Sequence, residues 1–252
     1  MQKTVATDSP EKAVDAKVLG VDCNVDDHIA VTSTGRFVGN ADYLNHERRE
    51  FEKRRGDLQQ TGTRSAHLTF QRIGDRFGRW SEDYLHRCSK QIVAEAERHG
   101  CTHIAFEQLD QIRDRISDGK KFQQWAFRAL QEQTEYKAEL AGIVVEKVEP
   151  SYTSQQCSKC GCTLDENRNG QHFTCLSCGY TANAHYNAGK NVARKLALKL
   201  HRGQKSPDGG AFCQYALKSG TLIVNATEVV SDQYWSAERE STDKPTAEAV
   251  GH

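Results

Sequence analysis

The chain has 252 residues, enough for one domain of ordinary size with a smaller module attached. Its 34 lysine and arginine residues balance 34 aspartate and glutamate residues, which argues against a simple basic protein that coats nucleic acid. No apolar run reaches the roughly 18–20 residues of a membrane span, and the polar N-terminus lacks the apolar segment of a secretory signal. Nine cysteines in such a chain favour metal binding over disulfides and predict a reducing cytoplasmic setting.

Short apolar runs alternate with helical patterns along the chain. The predicted elements, in order, are a strand over 18–23, its hairpin or meander partner over 28–38, helices over 42–60 and 66–99, a strand over 102–107, a helix over 121–141 and a strand over 143–148. This alternation predicts an α/β domain over 18–150, with the strand order left open. Residues 1–17 are predicted to form a disordered leader, and residues 204–252 are predicted to form a mostly disordered tail.

Two CxxC pairs define a second module over residues 151–182. The pairs, 14 residues apart, are Cys157 with Cys160 and Cys175 with Cys178. Each pair can place two thiolates at one edge of a metal, and together they complete a tetrahedral zinc site. The alternative is disulfides or free thiols. Four thiolates leave no open coordination position, so the zinc is expected to be structural. Cys162 is a fifth thiol with less suitable spacing.

A basic helix is predicted after the cysteine module, over 183–203. Its cations form two i, i+4 pairs, Lys190 with Arg194 and Lys195 with Lys199. They form either a solvated helix face or a phosphate-binding face. A second basic cluster, at 48–55, is interleaved with glutamates and favours intrahelical ion pairs.

Two carboxylates, Asp22 and Glu107, each stand at the end of an apolar run. Taken alone, either one is typical of a turn or a helix cap. Together with the cysteine module they gain functional significance, because four stretches of the chain resemble one family and occur in the same order. These stretches read GVD at 20–22, FEQL at 106–109, PSYTSQQCSKCG at 150–161 and CGYTANAHYNAGKN at 178–191. Over roughly residues 18–200, the chain resembles the OrfB/TnpB family of transposon-associated proteins, relatives of the type V CRISPR nucleases.

The resemblance implies an RNase H-like (RuvC-like) nuclease fold with a zinc ribbon inserted before its last helix. Members of the family use a guide RNA to cleave DNA at a Mg²⁺ site made of three carboxylates, and many are described as transposases. By position, Asp22 matches the first acid and Glu107 the second. Directly before Tyr-Asn-Ala, where the family has its third acid, this chain has His185. Imidazole nitrogen suits Mg²⁺ poorly, so the resemblance predicts an impaired catalytic site.

The family also carries an N-terminal wedge and a recognition lobe that hold guide RNA and target DNA, whereas only 21 residues precede Asp22 here. We therefore expect a truncated, cytoplasmic prokaryotic member that binds DNA with impaired cleavage; guide RNA is expected from the family, but the lobe that binds it is missing. Two alternatives remain open. One is an enzyme that still cuts by using His185 or another metal. The other is a nuclease-dead nucleic-acid-binding protein, either a repressor or a non-functional relic.

Overall fold

The computed structural model describes residues 16–108, 121–202, 214–216 and 222–224. Its elements are β1 (Ala16–Cys23), β2 (Ala30–Thr32), β3 (Phe37–Val38), α1 (Ala41–Thr61), α2 (Arg64–Arg98), β4 (His103–Glu107), α3 (Lys121–Leu140), β5 (Val144–Val148), β6 (Arg168–Asn169), β7 (His172–Thr174), β8 (Thr181–Asn183), α4 (Ala184–Arg202), β9 (Gln214–Ala216) and β10 (Leu222–Val224). Across the described ranges, every helix is too short or too polar to span a membrane.

Strand β1 is the centre of a mixed sheet. It runs parallel to β4, which in turn runs parallel to β5. Its other edge is shared by two antiparallel partners, β10 along the first half and β2 along the second, and β3 and β9 extend the sheet beyond them. A separate three-stranded sheet of β6, β7 and β8 belongs to the cysteine module. The predicted α/β class is therefore present as a mixed α/β fold.

The two faces of the large sheet pack against different helices. Val21 lies in a core shared with α2 and α3, while Val18 and Ala105 pack against α4 on the opposite face. Since side chains alternate between the faces of a strand, Asp22 and Glu107 have the same parity as Val18 and Ala105. Both carboxylates therefore lie on the α4 face, where β1 and β4 end.

The chain termini differ in detail from the sequence-based expectations. Strand β1 begins at Ala16, within the predicted leader, and the remaining leader residues lie outside the described part of the chain. Strands β9 and β10 fall within the predicted tail, whose other residues are likewise outside it. Residues 16–18 of β1 extend beyond β2, and an unpaired strand edge offers backbone groups to another strand. Leu222–Val224 pairs with that edge.

Helix α4 approaches β1 closely because Gly20 has no side chain. A Cβ atom at Gly20 would lie 2.0 Å from the Gly189 carbonyl oxygen and 2.5 Å from the Ala193 amide nitrogen. Gly189 in turn faces β2, where its own Cβ would lie 3.2 Å from the Ser33 nitrogen. Two hydrogen bonds tie Ser33 to Gly20: the Gly20 N–H donates to Ser33 Oγ at 3.0 Å and the Ser33 N–H to the Gly20 oxygen at 2.8 Å.

The substitution Gly20→Ala is expected to destabilise the fold by about 3 kcal/mol or more, because the added methyl group meets backbone atoms that cannot move independently. Urea and thermal unfolding measure the effect. The matched control is Gly56→Ala in α1, where a Cβ would meet nothing within 4 Å. That control is expected to be neutral or to stabilise by up to about 1 kcal/mol. Equal stability of the two variants would contradict the close contact between β1 and α4.

Candidate functional site

The sheet brings Asp22 and Glu107 to adjacent strand ends. Val21 and Phe106 are register partners in the parallel β1–β4 pair, and each carboxylate is the next residue along its strand. Asp22 is only 7% exposed, and Glu107 is half-buried. The Thr153 hydroxyl, from the segment after β5, donates a hydrogen bond to Glu107 Oε1. The sequence-predicted first and second acids are thus neighbours in the fold.

Burial and mutual repulsion shape the electrostatics of this pair. Burial, together with the charge of Asp22, raises the pKa of Glu107 to about 7, against the opposing effects of Thr153, Lys195 and Arg168. Burial also raises the pKa of Asp22, although the hydrogen bond and charge of His185 act in the opposite direction. Two neighbouring buried carboxylates therefore favour a proton or a cation between or beside them.

His185 contacts Asp22 directly. Its Nδ1 atom lies 2.9 Å from Asp22 Oδ2, a hydrogen bond that becomes an ion pair when the imidazole is protonated. Its position is set at the start of α4, where Asn183 Oδ1 accepts hydrogen bonds from the backbone N–H groups of His185 and Tyr186. This is the arrangement of a helix N-cap. The cap directs the first-turn imidazole toward the strand ends.

The donor set fits a hard divalent cation only in part. Asp22 and Glu107 offer the carboxylate oxygens that Mg²⁺ prefers, whereas His185 offers nitrogen, and its Nδ1 is already bonded to Asp22. The candidate ligand atoms of these three side chains are not clustered as tightly as those of a preformed metal site. Among the residues that the structure describes, such tight clustering occurs only at the cysteines. The position of His185 therefore does not fit Mg²⁺.

The four paired cysteines do converge. The Sγ atoms of Cys157, Cys160, Cys175 and Cys178 all lie within 4.8 Å of one another. Two cross-pair distances are 3.8 Å, between Cys157 and Cys178, and 3.5 Å, between Cys160 and Cys175. Zinc–sulfur bonds of about 2.3 Å in a tetrahedron require sulfur separations of about 3.8 Å, so the cluster fits a structural zinc ion. Cys162 lies in the same small core without belonging to the cluster.

Two buried asparagines join the cysteine module to α4, a role that sequence reasoning missed. The Asn187 side chain accepts from the Ser158 N–H at 3.0 Å and donates to the Gln156 oxygen at 2.8 Å. Asn191, one turn later, donates to the backbone oxygens of Thr153 and Gln156. The i, i+4 spacing within the NAGKN stretch was the available signal, because it places both amides on one helix face.

Three of the four predicted cations of α4 have partners within the protein, whereas Nη1 of the fourth, Arg194, is buried without a hydrogen-bond partner among the described residues. Lys190 lies 4.7 Å from the ring centroid of Tyr186, and Lys199 is 2.6 Å from Glu146 Oε2. Lys195 donates to the backbone oxygens of residues 149 and 151. Arg194 reaches the module, where its Nη1 lies 3.8 Å from the position of a Cβ at Gly161. A phosphate-binding role for these four cations stays a prediction.

Arg168 of β6 acts on the electrostatics of the site, an effect that the sequence did not reveal. Its charge lowers the pKa of Asp22 and also that of Glu107, as expected of a guanidinium near both carboxylates. Its Nε donates to the Gly170 oxygen at 3.1 Å, within the hairpin turn between β6 and β7. Because Arg168 lies far along the chain in the cysteine module, only the folded arrangement brings it to the strand ends.

Comparison with known proteins places these features in a family. Residues 127–192 match the family model described as Cas12f1-like, TNB domain. A CRISPR-associated endodeoxyribonuclease Cas12f1 of Sulfoacidibacillus thermotolerans is 37% identical over 193 residues, covering 70% of this chain and 45% of the relative. TnpB-like protein MJ0751 of Methanocaldococcus jannaschii is 36% identical over 136 residues, covering 52% and 45%. These matches confirm the resemblance to the OrfB/TnpB family that the sequence motifs indicated.

A solved structure described as a CRISPR-Cas12f ternary complex shares the fold. It superposes with a TM-score of 0.57 at 23% identity, covering 73% of this chain and 40% of that chain. The chain thus spans less than half the length of each of these three proteins. The likeness concerns the mixed α/β fold alone.

Purified protein is expected to contain one zinc ion per chain, measured by elemental analysis, because the four clustered thiolates close a tetrahedral shell. The double substitution Cys157→Ser/Cys175→Ser is expected to remove the metal. The control Cys162→Ser removes a thiol outside the cluster and is expected to keep it. Zinc retained in full by the double variant would contradict this assignment.

The substitution Glu107→Gln is expected to raise the melting temperature more at pH 8 than at pH 5, measured in EDTA. The pKa of Glu107 is raised from 4.5 to about 7 in the folded protein, so the stability that its protonated form contributes is lost as pH rises through about 7. Glutamine cannot ionise, so the expected gain between those pH values is about 1–3 kcal/mol.

The control for this titration is Glu97→Gln, at an exposed position of α2. It is expected to show no pH-dependent difference from the unsubstituted chain. A constant difference between Glu107→Gln and the unsubstituted chain from pH 5 to pH 8 would show that Glu107 does not titrate in this range.

Proposed function

We propose that this protein is a nucleic-acid-binding member of the OrfB/TnpB family in which Mg²⁺-dependent DNA cleavage is impaired. Its core is an RNase H-like (RuvC-like) domain, and the cysteine module is a zinc ribbon inserted before the last helix. The observation that carries this proposal is the 2.9 Å contact between His185 Nδ1 and Asp22 Oδ2 at the position of the family's third acid.

The impairment follows from charge and from donor type. A two-metal nuclease site must hold two divalent cations about 3.5–4 Å apart between shared oxygen ligands. Here the site offers two carboxylates, and the imidazole bonded to Asp22 competes with a metal for the same oxygen. The positive charges of Arg168 and Lys195 near Glu107 oppose cation binding further.

DNA is the proposed partner, with guide RNA as the second. Relatives are described as endodeoxyribonucleases, and one solved relative is described as a complex with a guide RNA and target DNA. In this proposal the zinc ribbon holds α4 in place through Asn187 and Asn191, and thereby orients His185. Its metal supports the fold and takes no part in cleavage, since four thiolates leave no open position.

A second candidate function is a nuclease-dead protein that binds nucleic acid and represses transcription. The His185–Asp22 pair favours it, because the imidazole supplies to Asp22 the positive charge that a bound metal would otherwise supply. A third candidate function is an active nuclease that uses another metal. The mixed nitrogen and oxygen donors favour it, because they suit Mn²⁺ or Zn²⁺ better than Mg²⁺.

Replacing the imidazole is the direct test. With His185→Asp, 10 mM Mg²⁺ is expected to raise the melting temperature by about 4 °C or more, whereas the unsubstituted chain shifts by less than about 1 °C. The control His172→Asp places the same new carboxylate at an exposed position of the cysteine module, so it adds charge away from the strand ends.

Cleavage of labelled single- and double-stranded DNA separates the candidate functions. The unsubstituted chain is expected to show little or no cleavage with Mg²⁺. Cleavage with Mn²⁺ but not with Mg²⁺ would favour the active nuclease that uses another metal. Binding without cleavage under either metal would favour the repressor. Robust Mg²⁺-dependent cleavage by the unsubstituted chain would refute the impairment.

A further inference from the structure

A fifth thiol, that of Cys162, lies against the four-cysteine cluster. Its side chain packs in the same small core as Cys157 and Cys175. It interacts with the side chains of Cys175 and Ser177, and it lies near enough to Cys160 to be affected by its charge. The clustered sulfurs do not include it, so a zinc ion held by the four paired cysteines leaves this thiol uncoordinated. The module therefore keeps an unliganded thiol beside four candidate metal ligands.

The backbone of the module fixes Cys162 in this place. Its carbonyl oxygen accepts hydrogen bonds from the Cys157 N–H at 2.9 Å and from the side-chain amide of Asn167 at 3.3 Å. Asn167 is buried, and its side-chain oxygen accepts a hydrogen bond from the Leu176 N–H at 3.0 Å. Leu176 directly follows Cys175 in the chain. One buried side chain thus holds the segments of Cys162 and Cys175 side by side.

The five thiols of the module differ in their access to solvent. Cys160 and Cys178 are exposed, Cys162 is half-buried, and Cys157 and Cys175 are 0% and 1% exposed. A small polar oxidant can therefore reach Cys162 from solvent, whereas Cys175 is accessible only from within the module. Of the three thiols in the module that solvent reaches, Cys162 is the one outside the metal-binding cluster.

We propose that Cys162 and Cys175 form a reversible disulfide in the presence of hydrogen peroxide, and that this bond releases the structural zinc. The Cys162 sulfur attacks one peroxide oxygen and becomes a sulfenic acid, while the O–O bond breaks and the thiol proton leaves with the other oxygen as water. The Cys175 thiolate then leaves the metal and attacks the Cys162 sulfur, whose hydroxyl group takes a proton from solvent and departs as a second water. The two sulfurs supply the two electrons that reduce the peroxide.

Loss of Cys175 as a ligand opens the zinc shell and loosens the start of α4. Three thiolates remain, so the fourth coordination position passes to solvent and the affinity for zinc falls. Cys175 also shares its core with Ala184, the first residue of α4, and Asn187 and Asn191 join this helix to the module. The redox state of the module is thereby coupled to the turn that carries His185. The inference goes beyond the proposed function, because it requires neither nucleic acid nor a metal at the strand ends.

The test follows zinc release from the reduced, zinc-loaded full chain after addition of excess hydrogen peroxide. A coloured chelator measures the zinc, and mass spectrometry maps disulfides after free thiols have been alkylated. Trypsin cuts after Lys159 and Arg168 and so places Cys162 and Cys175 in different peptides. The variant is Cys162→Ser. Its matched control is Cys23→Ser, which removes another half-buried thiol, outside the module.

The unsubstituted chain and Cys23→Ser are expected to release zinc and to show the bond between Cys162 and Cys175 in the fragment spectra. Cys162→Ser is expected to bind zinc when reduced but to release it at least about 5-fold more slowly, because the thiols that peroxide still reaches are held by the metal. Hydrogen exchange of the amides of residues 184–191 should rise on oxidation of the unsubstituted chain. Dithiothreitol with added zinc should restore the metal content, since a disulfide is reversible and a sulfinic acid is not.

Three results would overturn the inference. They are an equal rate of zinc release in Cys162→Ser, a disulfide between two cluster cysteines such as Cys160 and Cys175 in place of the proposed one, and zinc loss that dithiothreitol does not reverse. The mapping uses the unsubstituted chain, so it decides the question independently of how any variant folds. A reduced chain without zinc would overturn this inference together with the zinc assignment. The proposed impairment of cleavage is tested separately, because these measurements use neither DNA nor Mg²⁺.

Discussion

The rest of the site depends on the close approach of α4 to β1 at Gly20 and Gly189. No side chain separates the two backbones there, so the helix lies nearer the sheet than a larger residue would allow. The first turn of the helix then reaches the ends of the strands, where His185 meets Asp22. A close-packed interior cannot take up an added methyl group without moving one element relative to the other. The contact therefore sets both the fold and the geometry of the site.

Helix α4 also supports the cysteine module. Its small core contains Cys157, Phe173 and Ala184, the last of which is the first residue of α4. A hairpin with so few apolar residues gains most of its stability from a bound metal. Asn187 and Asn191 then satisfy backbone groups of the module that would otherwise be buried without partners. The cysteine cluster, the hairpin and the start of the helix consequently form one structural unit that holds His185.

The parts of the site that sequence predicted are those that local patterns encode. The CxxC spacing indicated the cysteine cluster, and the family resemblance matched Asp22 and Glu107, each at the end of an apolar run, to two acids that the structure places at one sheet edge. Contacts between distant segments were not encoded locally. The approach of Arg168 to the carboxylates depends on how the module docks, and the partners of the α4 cations depend on the loop after β5. The pairing of β10 with β1 likewise depends on an edge that exists only in the assembled sheet.

A histidine in place of a carboxylate changes the electrostatic character of such a site. Three buried carboxylates repel one another and need bound cations to remain ionised together. Here the repulsion is limited to Asp22 and Glu107, and it is offset by His185 and Lys195 of α4 and by Arg168 of β6. The fold around the strand ends can then form without divalent metal. In the proposed function, the exchange that weakens metal binding thus also removes the need for it, and the domain persists as a binding scaffold without cleavage.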